Sequence, residues 1–216
     1  MTTRQLDNAP GPPRRLRGRP LFRRWLLTVT AGEFAGFAVP AVVGALTAQA
    51  PVLLGLAAIL VAGAVEGTML GLAQAMVLRQ VSSRLPARRW VAATAAGAAL
   101  AYLIGMSPSA LADQWSELPP AVLVVAGSVL GMALLATIGT AQWLVLRSVR
   151  PRSGSWIVTT AVAWLVGLGV FLGFATPLWR PGQPLALTIA IGAAGGLLMA
   201  AVTSAITGLA VRRLFG

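Results

Sequence analysis

The chain contains no cysteine, no histidine and no lysine. Without cysteine, disulfides, iron–sulfur clusters and thiolate chemistry are excluded. Without histidine, a Ser–His nucleophile, a His-ligated haem or a histidine metal site cannot be assembled. Without lysine there is no amine for Schiff-base chemistry. Charge is also scarce. Only 10% of residues are charged, and the acids are just five: Asp7, Glu33, Glu66, Asp113 and Glu117. No cofactor is expected.

What is present is apolar. Hydrophobic residues make up 57% of the chain, at a mean hydropathy of +0.80, and they fall in long runs. That composition belongs to a membrane protein. Six spans near the length needed to cross hydrocarbon are predicted at about 25–47, 52–78, 90–106, 120–146, 156–176 and 184–211. The runs lack the alternation of a barrel strand, and backbone polar groups must be satisfied inside the bilayer, so the spans are read as helices. The fold class is therefore all-α, a polytopic membrane protein.

The formal net charge is +12, and its distribution follows topology. Arg23 and Arg24 precede span one, Arg79 to Arg89 separate spans two and three, and Arg147 to Arg152 separate spans four and five. Arg212 and Arg213 follow span six, and Arg180 alone lies on the other side. The positive-inside rule then places both termini in the cytoplasm. The basic loops are explained without nucleic acid. The all-arginine, Ala/Gly-rich usage points to a bacterial inner membrane. Residues 1–22 read as a disordered basic cytoplasmic tail, attracted to anionic lipid headgroups, ahead of a six-helix domain over 23–216. Phe22–Leu27 and the small residues before Pro51 bear a weak likeness to an export signal, but no cleavage is expected.

A repeat of about 65 residues organises the domain. Trp25, Trp90 and Trp156 open the copies, and Arg79, Arg147 and Arg212 close them. Gly71-x-x-Gln74-x-x-x-Leu78-Arg79 returns as Gly139-x-x-Gln142-x-x-x-Leu146-Arg147, and in worn form as Ser204-x-x-Thr207-x-x-x-Val211-Arg212. Such a period marks one supersecondary unit used repeatedly. Three tandem helical hairpins (24–80, 89–150 and 155–213) with pseudo-threefold symmetry about the membrane normal are expected. The tryptophans are expected at an interfacial belt. Gly63, Gly67 and Gly71, with Gly127, Gly131, Gly192 and Gly196, are expected to pack the even-numbered spans into an inner layer. The same faces could instead join a second copy or a partner membrane subunit.

Glu33 and Glu66 break the repeat. Their equivalents in the other copies are Ala98 and Trp164, and Leu134 and Met199, so the scaffold does not require carboxylates there. Glu33 lies about 12 Å past Trp25 and Glu66 about 20 Å before Arg79, both near mid-membrane. A carboxylate at that depth costs at least a few kcal/mol and is a functional candidate by default. Pro40 withholds a donor from the carbonyl of Gly36, so a kink beside Glu33 is expected. Two acids this close would repel when both are ionised. Gln74 and Gln142, nearer the arginine boundary, are read as interhelical hydrogen bonders or as the lining of an entrance.

Glu33, Glu66, Gln74 and Gln142 are thus the candidate substrate- or ion-binding residues of a small transporter or permeation protein. It would handle a proton, a cation or a cationic substrate. The alternative is a non-catalytic subunit of a membrane complex. An intramembrane or lipid-modifying enzyme with a carboxylate general base ranks last, since no second catalytic group or phosphate-binding cluster accompanies the acids. Six helices in three hairpins resemble mitochondrial carriers, whose longer repeats and proline–acid–basic signatures are absent here. The size resembles the substrate-binding subunits of energy-coupling-factor vitamin transporters, without a matching threefold motif. The asparagine–proline–alanine motifs of aquaporins are missing.

Overall fold

In a computed structural model of the protein, residues 16–216 are described, and their regular structure is helical throughout. The elements are α1 (Gly18–Thr47), α2 (Val52–Val81), α3 (Ala87–Ala110), α4 (Ala112–Ser116), α5 (Pro120–Leu146), α6 (Ser155–Ala175) and α7 (Leu185–Phe215). All but α4 are long and apolar enough to cross a membrane. Pro51, Pro86, Pro119 and Pro184 stand immediately before α2, α3, α5 and α7. Proline has no N–H to leave unsatisfied there and a φ already suited to the first turn.

The helices begin and end close to the expected spans, with one clear difference. Residues 1–15 of the expected tail lie outside the described residues, but α1 already begins at Gly18. Leu21 is fully buried there, so this arginine-rich approach is anchored by an apolar contact that its charge conceals. At the other boundary, α1 runs without interruption through Pro40 to Thr47.

Consecutive long helices lie side by side, and α7 packs back on α1, so the six form a closed ring in chain order. The ring has two unlike halves. At the end where the described chain starts and stops, Leu21, Trp25, Leu78, Trp90, Leu146 and Trp156 join in one buried cluster. At the distal end, the first half of α5 stands clear of its neighbours: Val124 is 69% and Met132 64% exposed. Such outward apolar surface suits contact with lipid.

Burial of the three tryptophans corrects the interfacial expectation. Trp25 and Trp90 are 0% exposed and Trp156 is 1%. Trp156 sits between the other two, with ring centroids 6.3 Å from Trp25 and 5.9 Å from Trp90. They point inward because each indole has an inward partner. Trp25 Nε1 donates to Thr207 Oγ1 at 3.1 Å, Trp90 Nε1 to Gln74 Oε1 at 3.1 Å, and Trp156 Nε1 to Gln142 Oε1 at 2.9 Å. A buried indole N–H needs such an acceptor. Thr207→Val removes one of them and is expected to cost about 1 kcal/mol, the usual scale for side-chain hydrogen bonds between membrane helices. A detergent denaturation midpoint equal to wild type would show that bond to be energetically idle.

The glycines need a second correction. Gly63, Gly67 and Gly71 do lie against α3, where added Cβ atoms would meet Tyr102, Ala98 and Val91. Around Gly127, Gly131 and Gly192, by contrast, there is open space. Four-residue spacing is therefore shared by packed and unpacked faces. A single ring has no inner layer.

Candidate functional site in the distal half of the ring

Gln74 and Gln142 meet, and they do so in the packed half. Gln142 Nε2 donates to Gln74 Oε1 at 2.7 Å and to Thr94 Oγ1 at 2.9 Å, while the Thr94 hydroxyl donates to the Trp90 carbonyl at 2.8 Å. With the indoles of Trp90 and Trp156 these amides form one buried network across α2, α3, α5 and α6. Both of Gln142's polar atoms are occupied, which fits the interhelical reading of the repeated glutamine.

Glu66 lies two turns of α2 away from Gln74, about 12 Å along the axis, and has different surroundings. Gly36 lets α1 approach so closely that a Cβ there would be 3.1 Å from the Glu66 carbonyl oxygen and 3.3 Å from its Cγ. On the other side of α2, Gly67 admits α3, and Tyr102 donates its hydroxyl to Glu66 Oε2 at 2.7 Å. That bond engages one carboxyl oxygen. The side chain also lines a half-open cavity of about 300 Å³ bordered by residues of all six long helices. Most of the wall is apolar, including Leu70, Leu134, Ile138 and Met199, with Phe37 and Trp164 adding aromatic surface. A second cavity, about 460 Å³, opens between α1, α2 and α3 toward the distal end. Phe37, Tyr102 and Met106 line both, so these three side chains stand between them.

Glu33 is 0% exposed, and neither of its carboxyl oxygens has a hydrogen-bond partner. It lies within charge range of Glu66 and beside Thr203 of α7. The Thr203 hydroxyl is directed instead at the Ala163 carbonyl, 3.5 Å away. Thr30, Thr160 and Ser204 also carry buried hydroxyls without partners. Burying an unpartnered carboxyl is costly. Among the described residues, no three acidic side chains gather as a metal site would require.

The structure thus brings together Gln74 with Gln142, and Glu33 with Glu66, as two separate pairs. Sequence reasoning missed Tyr102, the partner of Glu66. One signal was available: Tyr102 is the only tyrosine in the chain and falls within the third span. No protein-family model, no curated protein and no solved structure matches this chain, so its function is argued from this geometry.

Proposed function

We propose that the protein is a small transporter or permeation protein, with Glu66 and Glu33 taking a proton, a cation or a cationic substrate. The observation that carries this reading is Glu66 itself: a mid-span carboxyl on the wall of a half-open cavity bordered by all six long helices, held by Tyr102. In this proposal the chain is three tandem hairpins about a pseudo-threefold axis. The three indole bonds support it, since each tryptophan donates to the Gln or Thr of the copy before it, and Trp25 to that of the last. The positive-inside rule places the arginine-rich end, and with it both termini, in the cytoplasm of a bacterial cell. The cavities would then lie in the outer half. Gln74 and Gln142 act in this scheme as the closure on the cytoplasmic side.

Reconstitution into liposomes tests the proposal. Glu66→Gln is expected to lower proton or cation flux by about tenfold or more, the equivalent of one lost charge-assisted contact. Glu33→Gln should lower it in the same direction. Flux indistinguishable from wild type in both variants, with both proteins folded, would remove the reading. The exposed distal half of α5, with open space at Gly127 and Gly131, favours a second role as a subunit that holds a membrane partner. Recovery of a stoichiometric partner in gentle detergent, together with absent flux, would select that role.

A further inference from the structure

We infer that the cavity at Glu66 takes an organic cation with a compact apolar body of about two fused rings, its nitrogen on Glu66 and its rings against Phe37, Tyr102 and Trp164. This names the substrate class of the proposed transporter and rests on that proposal. Three observations converge. The first is size. An apolar cavity of about 150 Å³ is known to hold benzene, and this one is about 300 Å³.

The second is the chemistry of the wall. An inorganic cation leaving water needs its hydration shell replaced by a set of oxygens. Apart from the indole of Trp164, the polar side chains on this wall are Glu66 and Tyr102. One carboxyl group and one phenol can hold an ammonium head. The leucine, isoleucine and methionine side chains around them suit a body that has no hydration to lose.

The third is the placement of the aromatics. Phe37, Tyr102 and Trp164 come from α1, α3 and α6, so they face the cavity from different sides of the ring. Aromatic faces attract organic ammonium groups, and several around one site form the usual cage for them. Phe37 is fixed in place. A Cβ on Gly196 would lie 2.8 Å from its ring, and Phe171 packs edge-on at 5.6 Å. Phe171 in turn meets Trp179 at 6.0 Å, which continues the aromatic contacts toward the distal end. Entry runs from that end through the larger cavity, past Phe37, Tyr102 and Met106.

The test compares 2-naphthylmethylamine with its neutral analogue 2-methylnaphthalene, binding to the full-length protein in nanodiscs, with empty nanodiscs subtracted. The wild type should bind the amine at least about tenfold more tightly, the ratio expected of one charge-assisted hydrogen bond. Glu66→Gln should bring the two affinities together while keeping the neutral compound bound, which also reports an intact cavity. Leu134→Trp, which fills the cavity, should remove both. Equal binding of amine and neutral analogue by the wild type overturns the inference without recourse to any variant. So does an unchanged ratio in Glu66→Gln, or unchanged binding in Leu134→Trp. Flux of an inorganic ion that depends on Glu66, with no preference for the amine, would sink this inference and leave the transport reading standing. Amine binding without flux would do the reverse.

Discussion

Gly67→Ala should destabilise the helix ring by about 3 kcal/mol, at the upper end of ordinary overpacking, although the same change lowers the intrinsic cost of helix formation. The added methyl group would lie 2.7 Å from the Thr94 carbonyl oxygen, 2.7 Å from Ala98 Cβ and 2.8 Å from Ala95 Cα. Two of those three atoms are backbone, so no rotamer change relieves the clash, and α2 and α3 must separate. The separation acts on the site as well, because the Tyr102–Glu66 bond bridges the same two helices. Gly131→Ala is the matched control: it occupies the corresponding position to Gly63 on α5 and meets nothing within 4 Å. Thermal or detergent denaturation should show a large loss at residue 67 and none at residue 131. Comparable midpoints for the two variants would show that close contact between α2 and α3 does not depend on the glycine.

Gln142→Leu is expected to cost about 2–3 kcal/mol, the scale of orphaning a buried donor and losing its neighbours' bonds. The leucine nearly conserves volume, so the effect isolates polarity. It strips Trp156 Nε1 of its acceptor and withdraws the donors to Gln74 and Thr94. Thr94→Val removes only one of the acceptors that Gln142 uses and should lose less. If the two variants behaved alike, the Gln142 hydrogen bonds would not be what holds α5 to α2 and α6. Gln142 sits in the packed half, away from the cavity, so stability should move more than ligand selectivity.

The span boundaries are readable in the sequence because Pro51, Pro119 and Pro184 interrupt apolar runs whose length is set by the bilayer. Glu33 and Glu66 stand out for the same reason, since a carboxylate in such a run is costly wherever it faces. Facing is not readable. These helices are apolar on every side, so hydrophobic periodicity does not say which side turns inward. Depth alone puts the tryptophans at the boundary, and spacing alone groups Gly127 with Gly63. The repeat does pair the three tryptophans in number with Gln74, Gln142 and Thr207. That Trp90 reaches Gln74 and Trp156 reaches Gln142 depends on helix rotation, which their spacing along the chain does not encode. Tyr102 aligns with Phe37 and Leu168 in the other copies, so its hydroxyl is the one feature the repeat does not mark.

The ring closes through its ends. Trp25 and Thr207 bond across a sequence separation of 182 residues, and Thr203 on the same final helix is the neighbour of Glu33. A ribosome delivers these helices one at a time, and the first to emerge carries Glu33. Its side of the bundle is therefore open to surrounding lipid until the last helix is released. Glu33 lies on the first of the six long helices and is covered by the last. Until α7 packs on α1, a carboxyl group stands without the neighbour that encloses it.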